Sequence, residues 1–399
     1  MAAPLQGIKI VDMTSVIMGP YATQILADLG AEVIKIEPPG GDTMRAIGPM
    51  VNSGMGCLFL HTNRNKRSLS IDLKSEAGRR IIQHILKDTD VLISNIRPQA
   101  MQRLGLSYTD VKAIRPEIIQ VEAYGFGQNG VYAGKPAYDD LIQGLVALPS
   151  LSTMAGAADP RYAPTLIADR VAGLNIANIV MAALIHKGRT GEGQHVEVPM
   201  FETLAQMVLA DHMGGATFIP QRGPMGYARL LAQHRKPYQT ADGYLCAVIY
   251  TDSHWRAFLT LTGDEQLLTD DPRFSSLQNR TEHIGELYAL VAQRLTGRTT
   301  AQWLEALNAA DIPAMPLHTP ETLLQDPHLQ SVGFFHETDH PTEGTLREMR
   351  MPSNWSTARR DHDTPVPRLG EHTTQVLQEY GYAPDEIQNL IDKNVVHQA

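Results

Sequence analysis

The amino-acid sequence predicts an α/β fold, with a large domain built on a mostly parallel sheet and a smaller α+β domain beside it. Two observations carry this. Strand and helix signals alternate through the first half of the chain, as a parallel sheet covered by helices requires. The alternation then stops at GGATFIPQRGPMG, residues 214 to 226, a glycine- and proline-rich stretch that reads as a linker. In order, Ile8 to Met13 is a first strand, and Gly19-Pro20 opens a helix whose apolar Ala22, Ile25, Leu26 and Leu29 keep helical spacing up to Gly30. Val33 to Glu37 is a second strand. Further strands are expected near Ser68 to Leu73, Val91 to Asn95, Ile118 to Glu122 and His195 to Val198, separated by helical stretches such as Glu76 to Lys87. Beyond the linker, helices are expected over Glu282 to Leu295 and Thr300 to Ala310, and a strand-turn-strand over Phe334 to Met351 around Pro341 and Gly344. Two short helical patterns, near Glu371 to Glu379 and Pro384 to Ile391, end the chain.

Bulk properties narrow the function. The 399 residues carry a formal net charge of −9, which argues against a nucleic-acid binder, since phosphate contacts need a basic surface excess. Any polyanionic ligand must be met by local basic clusters. Two cysteines, Cys57 and Cys246, provide neither a disulfide framework nor a four-thiolate zinc site. The opening MAAPLQGIKIVDMT has no charged segment followed by an apolar core, and no run approaches eighteen uninterrupted apolar residues. A cytoplasmic protein without a membrane partner is expected.

Several motifs suggest chemistry, and each has a plainer reading. The βαβ opening is Rossmann-like, with Glu37 in the place of a ribose-binding acid, yet its first turn, TSVIMGPYATQ, lacks the glycines that let a backbone approach a pyrophosphate. A nicotinamide site is therefore not expected, and Glu37 reads as a strand-end carboxylate in solvent. His336-Glu337-Thr338-Asp339-His340 matches the zinc-protease pattern, which needs a helix to bring both histidines to one face. Pro341 and the preceding Phe334-Phe335 favour a strand, so exposed hairpin residues and no metal are expected. Asn63-Arg64-Asn65-Lys66-Arg67, with Arg97 and Arg103, concentrates positive charge that suits either phosphate groups or surface salt bridges. Asp169 precedes an apolar helical pattern through Ile176, Ile179, Val180 and Leu184. It reads as an N-cap that the helix dipole keeps ionised, and an ionised carboxylate there is also a competent nucleophile.

The segments LQGIKIVDMT, GPYATQILADLGAEVIKIE, NRNKRSLSIDLKS, NIRPQAMQRLGL, YGFGQNG, AYDDLIQG, IADRVAG, KGRTGEGQHVEVPM and LGEHT, in this order and spacing, resemble a family III CoA-transferase along essentially the whole chain. That group contains formyl-CoA transferase and succinyl-CoA:glutarate transferase. The resemblance implies that CoA is moved from an acyl-CoA to a free carboxylic acid, with no ATP, metal or prosthetic group, and that Asp169 is the nucleophile. It implies a CoA site at the backbone of Ile17 and Met18, with Ile71, Asp72, Leu73, Lys74, Asn95, Ile96, Arg97, Arg103, Lys135, Pro136, Ala137 and Tyr138. It places the basic cluster at that site as well. An interlocked homodimer is implied, with a large domain from residues 1–205 and 330–399 and a linker and small domain over 206–329.

Three departures bear on the substrates. Pro38 stands where formyl-CoA transferase has an arginine, which bears on an adenine-side contact of CoA; for the acceptor, Ile17 stands where that enzyme has glutamine, and RGPMGYARLLAQHRKPYQ does not read as its glycine-rich loop. Oxalate is accordingly expected to be a poor acceptor, and dicarboxylates of four or five carbons, such as succinate, itaconate, mesaconate or glutarate, are preferred. Two alternatives share the fold: an α-methylacyl-CoA racemase, whose second acid-base group would fall near Tyr138, and a non-catalytic acyl-CoA-binding protein.

Overall fold

The computed structural model describes residues 2–357 and 363–399. Its opening elements are β1 (Lys9–Met13), α1 (Met18–Asp28), β2 (Glu32–Glu37), β3 (Lys66–Ile71), α2 (Glu76–Leu86), β4 (Val91–Ser94), α3 (Pro98–Leu104), α4 (Tyr108–Ile114) and β5 (Ile119–Tyr124). Then come α5 (Asp139–Leu145), α6 (Ile167–Thr190) and β6 (Gln194–Pro199). After them lie β7 (Tyr238–Gln239), β8 (Tyr244–Ala247), α7 (Asp252–Thr262), α8 (Ile284–Leu295), α9 (Thr300–Ala309) and β9 (Ala314–Pro316). The chain closes with β10 (Phe335–His340), β11 (Gly344–Met349), α10 (Thr373–Glu379), α11 (Pro384–Asp392) and β12 (Val396–His397).

Two compact units result: Met1–Val146, Ala163–Gln206 and Gln330–Ala399 form one, Ala147–Tyr162 and Met207–Leu329 the other. The first holds a seven-stranded sheet in the order β12-β3-β2-β1-β4-β5-β6. Its pairs are parallel except β12 with β3, where Val396 lies opposite Ile71. Strands β4 and β5 are buried along their whole length, as a parallel sheet clad by helices on both faces demands. The clad side is visible in α2. Ser75 caps it by accepting from the Gly78 amide, and Ile81, Ile82, Ile85 and Leu86 sink fully into a core with Val11, Leu69 and Leu92. Each such side chain contributes roughly 1.5–3 kcal/mol by leaving water.

Helix α6 is 24 residues long. It is long and apolar enough to cross a membrane, but its small buried residues Ala168, Ala172, Gly173, Ala177 and Ala183 form a stripe against the core. At Gly173 the helices α1 and α6 meet so closely that a Cβ would stand 2.7 Å from the Met18 carbonyl oxygen. Gly191, left-handed at φ +78°, ends the helix.

The second unit centres on an antiparallel sheet, β7-β8-β9. Its core combines Trp255 and Phe258 with Leu287, Val291 and Trp303, and the buried Trp303 indole donates to the Leu295 carbonyl at 2.7 Å.

In the first unit β10 and β11 form an antiparallel hairpin, so the His336 to His340 motif sits on a strand and not on a helix. His340 is nonetheless buried rather than exposed. Its Nε2 bonds the Val366 carbonyl at 2.8 Å and its Nδ1 accepts from the Thr342 and Glu343 amides, a fully used imidazole that organises the turn.

Candidate active site

Chain order reverses direction between β1 and β4, with β2 and β3 added on one side and β5 and β6 on the other. Open α/β sheets bind ligands in the crevice at the carboxyl ends of their strands at such a switch point. Here a cleft of about 630 Å³ opens there, lined by Thr14, Ser15, Pro38, Ile71, Asp72, Leu73, Lys74, Arg79, Ile96 and Arg103 among others. Lys74, Arg79 and Arg103 have no carboxylate partner among the described residues. The two most buried acids of the cleft, Glu37 and Asp42, are neutralised internally by Arg45 and Lys35. Three cations against the lone Asp72 give the cleft a local positive excess suited to a polyanion, in a chain of net charge −9.

Arg79 is absent from the sequence reading. It stands four residues after the Ser75 cap, and long helical side chains lean toward the helix N-terminus, which returns its guanidinium to the mouth of β3. There Nη1 donates to the Lys74 carbonyl at 2.8 Å.

The run Asn63 to Arg67 proves to be structural. Lys66 is fully buried, 3.1 Å from Asp12, and donates also to the Pro20 carbonyl and Asn63 Oδ1. Arg64 and Asn65 hold Asp28, and Arg67 pairs with Glu379. The cluster therefore faces inward or across the surface and contributes nothing to the cleft wall. Glu37 is likewise not in solvent: it is 1 % exposed, with Arg45 at 2.7 Å and the Ser68 hydroxyl donating at 2.7 Å.

The other expected contacts lie outside the cleft wall. Ile17 and Met18 are buried at the start of α1, and the Asn95 amide is spent on the backbone of Ser15, with Oδ1 accepting from its N–H and Nδ2 donating to its carbonyl. Arg97 stands at the cap position of α3, beside the cleft. Lys135, Pro136, Ala137 and Tyr138 lead into α5, whose first residue, Asp139, reaches the neighbourhood of Asp169.

Asp169 is the third residue of α6 and not its cap; Leu166 occupies the cap position and offers no side-chain bond. The capping function passes to Asp139, whose Oδ1 accepts from the Asp169 amide at 3.0 Å while Oδ2 accepts from Gln143 at 2.5 Å. Asp169 is thereby free of a capping duty. Burial pushes its carboxyl up to about 6, the Asp139 carboxylate adds to this, and the Arg170 guanidinium opposes it. Arg170 itself lies over the Tyr21 ring, 4.5 Å from the centroid. Dipole placement alone thus predicts a more acidic group than burial permits. Sequence reasoning named AYDDLIQG without giving Asp139 a role; a carboxylate satisfying the amide of a residue 30 positions away has no local signature.

A sheet switch point with a cleft suited to phosphates, and in the same unit a buried carboxylate of raised pKa, are features of an enzyme site for a large anionic cosubstrate. The chain belongs to CoA-transferase family III, whose description matches residues 5–373. It is 32% identical over 388 residues to the succinate–glutarate CoA-transferase of Agrobacterium fabrum, covering 94% of this chain and 95% of that one. It is 34% identical over 323 residues to the acetyl-CoA:oxalate CoA-transferase of Acetobacter aceti, covering 79% and 80%. The crystal structure of a CaiB/BaiF family protein from Brucella suis superposes with a TM-score of 0.80 at 29% identity, over 95% of this chain and all of that one. The chain is a CoA-transferase, and coenzyme A is its substrate.

Proposed function

We propose that this enzyme moves CoA from an acyl-CoA such as succinyl-CoA to a dicarboxylic acid of four or five carbons, with Asp169 as covalent nucleophile. The observation that carries the assignment is a buried carboxylate, raised to about 6 yet ionised at neutral pH, positioned by Asp139 and not consumed as a cap. An Asp169 oxygen attacks the thioester carbonyl, the C–S bond breaks, and CoA leaves as its thiolate, forming a mixed anhydride. The thiolate attacks the aspartyl carbonyl, releasing the donor acid and leaving an aspartyl-CoA thioester. The acceptor carboxylate attacks that thioester and expels the thiolate once more. Return of the thiolate to the acceptor carbonyl frees Asp169, and the energy of the donor thioester is kept in the acyl anhydride and thioester intermediates, so the product is again a thioester.

The nucleotide phosphates fit Lys74, Arg79 and Arg103. Arg79→Gln and Arg103→Gln are each expected to raise the KM for acyl-CoA about ten- to a hundredfold with kcat nearly kept, since losing one charge-assisted contact of about 1.5–3 kcal/mol in uniform binding has that signature. Steady-state kinetics at two salt concentrations check this, and a fall in kcat with KM unchanged would remove these residues from the binding site.

With succinyl-CoA as donor, an acceptor screen should show glutarate, itaconate or mesaconate exceeding oxalate in kcat/KM. Oxalate outperforming all of them would end the dicarboxylate reading. The same mixture, with labelled acceptor, separates transfer from racemisation.

Self-association into an interlocked homodimer is part of this proposal. Exposed apolar side chains support it: Val131, Leu141, Leu145, Leu174 and Ile185 in the first unit, and Phe218 and Ile219 in the second. Light scattering at micromolar concentration should give twice the chain mass, and a monomer would refute it.

A further inference from the structure

We propose that the buried Lys35–Asp42 ion pair is a positioning device for the turn between β1 and α1, and so for the approach of the thioester to Asp169. The inference rests on the reading of the cleft and of Asp169 given above.

Val16, at the centre of that turn, has φ +73°, a left-handed conformation that a β-branched residue keeps only where its surroundings over-determine it. The surroundings are unusually polar. Asp42 Oδ1 accepts from the Val16 amide at 3.2 Å, its Oδ2 lies 3.1 Å from Lys35 Nζ, and Nζ donates to the Thr14 carbonyl at 2.8 Å. Asn95 clamps the Ser15 backbone between them, on both its N–H and its carbonyl. The pair is 0% and 1% exposed. For stability alone, packed apolar side chains would serve as well as a buried ion pair; here both charged ends grip the backbone of one turn. Before the turn, Thr14 and Ser15 line the cleft. After it, Met18 opens α1, and its carbonyl abuts Gly173, one helical turn beyond Asp169. The turn therefore sets the register between a chain lying in the cleft and the nucleophile.

Two double variants separate this role from simple stability. Lys35→Met with Asp42→Asn removes both charges but keeps an oxygen for the Val16 amide, whereas Lys35→Met with Asp42→Ala removes that oxygen too. The Asn form, which keeps the hold on the Val16 amide but loses the Lys35 hold on the Thr14 carbonyl, should lose only about three- to tenfold in kcat. The Ala form should lose about ten- to a hundredfold in kcat with little change in KM for acyl-CoA, the penalty of a misplacement on the order of 1 Å. Adding Val16→Gly to the Ala form should recover much of the loss, because glycine holds the left-handed conformation unaided. Equal kcat in the Asn and Ala forms, a loss confined to KM, or no recovery with glycine overturns the proposal. If the Ala form does not fold, Val16→Gly alone decides: an unchanged or higher melting temperature supports a strain held by the pair, and a lower one refutes it. Failure of the functional reading would look different, since wild-type enzyme would then form no adduct at Asp169.

Discussion

Asp169→Asn is expected to fold, to bind acyl-CoA with near-normal affinity, and to lose nearly all transfer. Asparagine keeps the shape of the carboxylate, and because Asp139 satisfies the helix amide, no cap is lost; only nucleophilicity changes. A variant retaining more than about a tenth of wild-type kcat, a barrier change under roughly 1.4 kcal/mol, would refute the assignment. Incubating wild type with acyl-CoA alone should leave a hydroxylamine-labile adduct on a peptide containing Asp169, and the variant should leave none. The raised pKa of about 6 adds two signatures. In the free enzyme, kcat/KM should fall below pH 6 as the nucleophile is protonated. The stability linkage runs the opposite way. A carboxyl raised in the folded state contributes stability fully present below its unfolded value near 3.9 and lost as pH rises through about 6. At pH 8 the ionised group is therefore a burden of up to about 2–3 kcal/mol, and Asp169→Asn should unfold at higher denaturant than wild type there but not at pH 4. An active site that costs stability is the trade-off expected where a charge is kept buried for chemistry.

Breaking the Asp12–Lys66 pair should be the most destabilising single change in the first unit. Burial alone would push Asp12 up, but the Lys66 and Lys35 ammoniums beside it, with Thr14 and Thr23 donating, hold it at about 2. Burial draws Lys66 down to about 8, leaving it charged at neutral pH. Asp12→Ala strands the buried Lys66 ammonium and is expected to cost about 3–5 kcal/mol. Asp12→Leu with Lys66→Met, which removes the pair together, should recover most of that. Urea midpoints at pH 7 measure both. A single variant as stable as the double would show that the pair is not coupled. The acid limb has a definite sign: Asp12, depressed on folding, contributes stability present above about 3.9 and lost as pH falls through about 2.

These two predictions mark where sequence reasoning reached and where it stopped. The alternation of β-branched runs with helical periodicity was sufficient for the βαβ succession, because each strand and each amphipathic helix is specified by residues within a few positions of one another. Strand β3 shows the limit: expected from Ser68, it begins at Lys66, since a lysine in a strand looks exposed until its partner, 54 residues away, is known. Glu37 was misplaced for the same reason, its partners Arg45 and Ser68 lying on a separate turn and strand. Asp169 was legible through its motif, yet its chemistry was not. The sequence by itself determined the α/β class and the family, and singled out the carboxylate proposed as the nucleophile. Tertiary structure alone decided which charges are spent inside the fold and which face the cleft, because burial and pairing, not formal charge, set whether an ionisable side chain is structural or available to a ligand.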